Sequence, residues 1–264
     1  MDRNQRQIIA IEAIIFDLDG TLVQTEIIKA QSYARAARDL SQGQIAEQDV
    51  IEAFKEVVGR SRQEVAQHLL QRFALQDRAH EKMGELGVMT PWQAFIQLRL
   101  RIYESVLEDP TMLNRYLCPY NLKLLKWARQ NGLKTGLATM SHCRQAWRVL
   151  QQLNIKDDFD FVATRDDVES GKPDPQIYLL VAHQLKVSAT RCMVIEDSAN
   201  GVKAALAAGM GCIAVTTDFT RKQMHAAELL PNRWIVDDPI DLNTTVQNFI
   251  SCKEKEKCTV GTTG

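Results

Sequence analysis

From Ile11 the chain reads IEAIIFDLDGTL, a short β-branched apolar run that ends at acidic residues and a glycine. A buried parallel strand running into a loop has this pattern, because both its faces are covered and its side chains need not alternate. Four later segments repeat it, each apolar run closing on a polar residue: LKTGLAT to Thr139, FDFVAT to Thr164, CMVIED to Asp197 and GCIAVTT to Thr217. Trp234 to Asp237 is a sixth, weaker copy. Helix-period stretches lie between them, at Asn121 to Gln130, Ser141 to Leu153, Gln176 to Leu185 and Ala199 to Ala208. The alternation predicts an α/β fold with a Rossmann-like, doubly wound parallel sheet. Right-handed crossovers then bring the strand ends to one edge, where ligands of such sheets bind and where Asp17, Thr139 and Asp197 are expected.

Residues 24–108 break the alternation. Val50, Ile51, Phe54, Val57 and Val58, then Val65, Leu69, Leu70 and Phe73, follow a helical period, and no strand pattern intervenes. An inserted α-helical cap is expected here, and an insertion straight after the first strand is placed to act as a lid. The predicted organisation is a core of 1–23 and 109–250, a cap of 24–108 and, from the polar KEKEKCTVGTTG, a disordered tail of 251–264.

Composition narrows the field without choosing a function. The 32 Lys and Arg balance 33 Asp and Glu, so the chain carries no global electrostatic footprint for nucleic acid or an anionic membrane. No window approaches the roughly 18 apolar residues of a spanning helix, and six cysteines form no CxxC pair or zinc-like spacing. Reduced thiols and a cytoplasmic protein, monomer or dimer, are expected.

Four segments carry candidate chemistry. Asp17-Leu18-Asp19-Gly20 sets two carboxylates on one face of an extended segment, before a glycine that permits a sharp turn. One carboxylate of such a pair can attack a phosphoryl group while the other moves protons; a surface acidic turn or a fragment of a calcium loop has the same spelling. Thr139, Met140 and Ser141 stand where a strand meets a helix, a junction that binds anions through a hydroxyl and backbone N–H groups or that serves only as a helix cap. Gly171-Lys172-Pro173-Asp174-Pro175 holds a lysine rigidly between turn residues, fit to offset repulsion between a carboxylate and a phosphate. Glu196-Asp197-Ser198 ends an apolar strand with paired acids, hard oxygen ligands of the kind magnesium prefers.

Taken in order, these four motifs resemble those of the haloacid dehalogenase superfamily, in its β-phosphoglucomutase and phosphoglycolate phosphatase-like subgroup. The resemblance runs from the first strand to about Asp237. It implies Asp17 as nucleophile, Asp19 as general acid/base whose backbone carbonyl also touches the metal, and Lys172 as the charge-balancing cation. Thr139, Met140 and Ser141 would hold phosphate. Mg2+ would lie on Asp17, Asp19 and Asp197, with Glu196 as a ligand or a supporting partner, and Ser198 would orient Asp197. In the cap, Gly59-Arg60-Ser61-Arg62 is similar to a loop that presents an arginine to the far end of the substrate, and Arg62 matches that arginine by position. Lys29 and Arg99 are further cap cations, and His142 reads as a solvent-facing helix residue.

An Asp at position 19 is what phosphatases and phosphomutases of this superfamily carry. Gln24 stands where most of the subgroup has Asp, and Lys29 stands where β-phosphoglucomutases have a histidine that times proton transfer. The reading is therefore a Mg2+-dependent phosphatase of a small phosphorylated metabolite, a sugar phosphate or phosphoglycolate. The alternatives are a hexose phosphomutase and a catalytically silent binding protein that has kept the fold.

Overall fold

The structure, a computed structural model, describes residues 11–108 and 113–260, with side chains to residue 253. The chain divides into two compact units, one built from the segments up to Val23 and from Cys118 onward, the other from Gln24–Leu117.

The first unit is organised by six strands: β1 Ala13–Phe16, β2 Lys134–Ala138, β3 Phe161–Ala163, β4 Cys192–Glu196, β5 Gly211–Val215 and β6 Ile235–Val236. All pairs are parallel, and the order is β3-β2-β1-β4-β5-β6. The strands therefore fall where the apolar runs predicted them. The chain leaves β1 toward one edge and returns to build the other, so the order reverses at the β1–β4 pair, and ligands of open α/β sheets bind beyond the carboxyl ends at such a point. Phe16 is in register with Leu137 on one side and Ile195 on the other, so Asp17 stands directly beside the ends of β2 and β4.

The second unit is helical: α1 Thr25–Leu40, α2 Glu47–Lys55, α3 Arg62–Arg72, α4 Gln76–Glu81, α5 Met83–Leu86 and α6 Pro91–Leu107. Capping boxes start two of them, Ser61 with Glu64 at α3 and Thr90 with Gln93 at α6, each satisfying backbone donors that a helix start leaves unpaired. Tyr33 stacks on Phe54 and Phe95, ring centroids 5.6 and 5.5 Å away, which binds α1, α2 and α6 around one aromatic centre. The unit extends to Leu117 rather than stopping at residue 108, and inside it the Gln24 N–H donates to the Tyr116 carbonyl at 2.8 Å.

In the first unit the sheet is covered by α7 Pro119–Gln130, α8 Cys143–Gln152, α9 Gln176–Leu185, α10 Ala199–Ala207, α11 Arg221–Ala226 and α12 Leu242–Val260. One face of the core packs Ile15, Val194, Cys212 and Ala214 against Ile177, Tyr178, Val181 and Leu185 of α9 and Val202 and Ala205 of α10. Ile14, Ile15 and Phe16 are fully buried, and each such side chain contributes about 1.5–3 kcal/mol. This fixes β1, and with it the position of Asp17. The expected tail is corrected: residues 251–260 continue α12, because Lys and Glu propagate a helix already nucleated on the sheet. The last four residues of that tail lie outside the described residues.

Candidate active site

Asp17, the first residue past β1, donates its N–H to the Ile195 carbonyl at 3.0 Å, and the residue is only 5% exposed. Lys172 Nζ donates to Asp17 Oδ1 at 2.7 Å, to Glu196 Oε1 at 2.7 Å and to the Ala138 carbonyl at 3.0 Å, so all three of its protons are placed. Burial pushes the Asp17 carboxyl up to about 7; Lys172 pulls it down, while the charges of Glu196 and Asp19 reinforce the rise. Burial works against the Lys172 charge too, yet Asp17 and Glu196 outweigh it and hold the ammonium above its ordinary range.

Asp19 is tied by two hydroxyls: Ser141 Oγ donates to its Oδ2 at 2.5 Å and Thr139 Oγ1 to the same oxygen at 3.3 Å. The structure thus brings the first and second motifs together. The Thr139 N–H is spent on the Ala163 carbonyl at 3.0 Å and the Ser141 N–H on Thr139 Oγ1 at 3.0 Å, so of the backbone donors at positions 139–141 these two are engaged within the protein. Met140 is half-buried against the hydrophobic core. His142 is exposed, and its Nδ1 lies 2.6 Å from Asp166 Oδ1, while Asp166 Oδ2 accepts the Cys143 N–H at 2.8 Å.

At the end of β4 the paired acids separate. Glu196 turns inward: Oε1 accepts from Lys172 and, at 3.1 Å, from Tyr178 Oη, and Oε2 accepts the Asp197 N–H at 2.8 Å, the Ser198 N–H at 2.7 Å and Ser198 Oγ at 3.0 Å. Ser198 Oγ in turn accepts the Gly201 N–H at 3.0 Å and caps α10. Asp197 points the other way, onto the DLDG turn, where a Cβ on Gly20 would overlap its carboxylate. Gly20 also sits at φ +86°, a conformation that any other residue adopts only with strain. The glycine therefore serves the first motif twice, by turning the chain and by admitting Asp197.

In the helical unit Arg62 is the first residue of α3, behind the Ser61 cap. Arg99 is buried with its guanidinium 4.9 Å from the Tyr33 ring centroid and 5.3 Å from that of Tyr103, and its Nε and Nη1 have no hydrogen-bond partner among the described residues. Burial raises the Tyr33 phenol, and the charges of Arg99, Arg62 and Lys29 all act against that rise. Lys29 pairs with Glu26 at 2.8 Å.

Sequence reasoning missed Tyr178 and Asp166. A tyrosine on the buried face of an apolar helix needs a partner for its hydroxyl, and that was the available signal for Tyr178. Asp166 lies in a polar turn, and nothing local marks it.

The sequence pattern of haloacid dehalogenase-like hydrolases matches residues 11–209. This chain belongs to that family. Among its relatives, the phosphorylated carbohydrates phosphatase of Thermotoga maritima is 30% identical over 207 residues, covering 76% of this chain and 82% of that protein. The β-phosphoglucomutase of Bacillus subtilis is 30% identical over 205 residues, covering 78% and 83%. A solved structure, the β-phosphoglucomutase of Clostridium difficile, aligns with a TM-score of 0.65 at 25% identity over 94% of this chain and 99% of that one. The Rossmann-like sheet expected from the sequence is the haloacid dehalogenase fold.

The donor set beside the DLDG turn suits magnesium, a hard cation of oxygen ligands. Asp17 and Asp197 offer hard carboxylate oxygens beside the DLDG turn. Among the described residues no three side chains of His, Cys, Asp or Glu are arranged to enclose a metal ion. Magnesium does not require such a cage, because it keeps several waters and is bound through one or two carboxylates together with substrate phosphate. Glu196, expected as a ligand or a supporting partner, meets five protein donors with its two oxygens. No helix among the described residues is long and apolar enough to cross a membrane.

Proposed function

We propose that this chain is a magnesium-dependent phosphatase that hydrolyses a phosphate monoester of a small metabolite, a sugar phosphate or a compound of phosphoglycolate type, through an aspartyl-phosphate on Asp17. One observation carries the reading. Among the described residues only Lys172 donates to the Asp17 carboxylate, and it does so at Oδ1, which leaves Oδ2 as the nucleophilic oxygen. The ammonium offsets the repulsion between that carboxylate and an incoming phosphate dianion.

In the first step Asp17 Oδ2 bonds to phosphorus as the ester oxygen leaves, and Asp19 gives that oxygen its proton. In the second, Asp19 takes a proton from water, the water oxygen bonds to phosphorus, and the Asp17 carboxylate is released with inorganic phosphate. Thr139 and Ser141, which hold Asp19 Oδ2, set its orientation for both transfers; with Met140 they are read as the phosphate-binding turn, their hydroxyls turning to phosphoryl oxygens when substrate displaces these bonds. Asp17, Asp197 and the Asp19 carbonyl would hold Mg2+, which when bound supplies positive charge beside those oxygens. Arg62 is read as the contact for a distal anionic group.

Hydrolysis is preferred over isomerisation because Lys29, an ammonium paired with Glu26, stands at the position of the mutase histidine, so the imidazole that times proton transfer is missing. A mutase must also keep water from the phosphorylated enzyme, a demand a hydrolase does not share. The test is a panel of phosphorylated metabolites assayed with Mg2+ for phosphate release, with glucose 1-phosphate followed for both phosphate and glucose 6-phosphate. Phosphate release exceeding isomerisation supports the phosphatase; the reverse selects a mutase, and no turnover by wild-type protein selects a binding protein.

A further inference from the structure

Glu196 and Tyr178 are two buried titratable groups of the first unit that take no part in the proposed chemical steps. Glu196 is 1% exposed and Tyr178 fully buried. Five donors converge on the Glu196 carboxylate, and the fit is close enough that a Cβ on Gly201 would overlap it. Oε2 is fixed to the start of α10. Oε1 is shared by two donors of different kinds, the Lys172 ammonium at 2.7 Å and the Tyr178 hydroxyl at 3.1 Å. The same tyrosine ring has its centroid 4.9 Å from Lys172 Nζ. Tyr178 therefore meets Lys172 twice, directly through its ring and indirectly through the oxygen they share.

We infer that Tyr178 is a positioning residue for Lys172: its hydroxyl, bonded to Glu196 Oε1, keeps the ammonium divided between Glu196 and Asp17. The kinetic consequence rests on the phosphatase reading. A buried carboxylate oxygen that has lost one donor attracts the remaining cation more strongly, because the low-dielectric interior offers no water to replace the lost bond. Without the hydroxyl, Lys172 shifts toward Glu196 and away from Asp17 Oδ1. The phenol is suited to the task, since burial and the neighbouring charges of Glu196 and Asp17 keep it protonated and therefore a donor. Lys172 and Tyr178 bracket the start of α9, so one short segment carries both the cation and the group that aims it.

Tyr178→Phe keeps the ring, its packing and its cation–π contact, and removes only the hydroxyl. With 4-nitrophenyl phosphate and saturating Mg2+, kcat should fall about tenfold, the size that one charge-assisted hydrogen bond supports. KM should stay within about twofold, because the loss falls on the chemical step. A purely structural tyrosine gives no such split, and an unchanged kcat overturns the inference. A second measurement does not depend on turnover: a urea-unfolding cycle of Tyr178→Phe and Lys172→Met. Coupling through Glu196 requires the double variant's midpoint shift to differ from the sum of the single shifts, and additivity overturns the inference. If wild-type protein releases no phosphate from any ester, the phosphatase reading fails while the unfolding cycle still decides the role of Tyr178.

Discussion

Lys172 Nζ lies 2.7 Å from Asp17 Oδ1 although 155 positions of chain separate the two residues. The pair is 5% and 8% exposed at the side chain, so both charges have left water, and each is tolerable only because the other is there. The lysine comes from a turn before α9 and the aspartate from the end of β1, and only the folded sheet brings them together.

Lys172→Met should therefore injure both stability and activity. It leaves Asp17 and Glu196 buried side by side without a cation, and breaking a buried pair in this way costs about 3–5 kcal/mol. Urea unfolding should register that loss, and phosphate release should fall by at least about a hundredfold, as for the loss of one preorganised electrostatic contact. A variant with wild-type stability would show that the pair is not desolvated.

Gly20→Ala tests the turn that admits Asp197. The new methyl group meets the Asp197 carboxylate, and the backbone at φ +86° is strained for alanine. The expected outcome is a weakened Mg2+ requirement curve, with the half-saturating concentration raised about tenfold or more for a displaced ligand. An unchanged curve would remove Asp197 from the proposed metal set.

Metal removal should silence the enzyme, Mg2+ should restore it, and Ca2+ should not, because its larger and looser coordination misplaces the reacting oxygens. The pH dependence follows from Asp17. Its carboxyl is pushed up to about 7 in the metal-free protein, so below that pH it holds a proton that a cation must displace. The apparent Mg2+ affinity, measured by calorimetry, should fall about tenfold for each pH unit below 7 and level off above it. Affinity independent of pH between 5 and 8 would contradict the elevated carboxyl.

Arg62→Ala should raise KM or lower kcat/KM for substrates with a second anionic group, while leaving 4-nitrophenyl phosphate almost untouched. Comparable losses on both substrates would show that Arg62 is not a specificity contact.

The sheet was legible because its strands are buried on both faces: IIF, GLA and VIE are continuous apolar runs, and each ends where the edge meets water. The places of Asp17, Thr139 and Asp197 follow from those ends and from the strand order. Less legible was the direction of each side chain. Glu196 and Asp197 are adjacent and alike in sequence, yet one turns into the core toward Lys172 and Tyr178 and the other onto Gly20, since successive residues of a strand face opposite sides. Tyr178 was hidden inside an apolar helix, where its ring reads as core. Which backbone donors of the Thr139–Ser141 turn are engaged within the protein was not legible either, because the partners of the Thr139 and Ser141 N–H groups, the Ala163 carbonyl and the Thr139 hydroxyl, are set by tertiary packing and by a local turn. The polar composition of the C-terminal stretch hid a helix whose support comes from the preceding turns of α12.

The most direct test of the account is to trap the covalent enzyme. Borohydride reduces an acyl phosphate to an alcohol, so quenching the enzyme with it during turnover of a good substrate, followed by peptide mass spectrometry, converts a phosphorylated Asp17 to homoserine. The account predicts homoserine at position 17 in wild-type protein and none in Asp17→Asn, which should also lose turnover while remaining folded. Rapid phosphate release by wild-type protein with position 17 unmodified, or near-normal hydrolysis by Asp17→Asn, would contradict it.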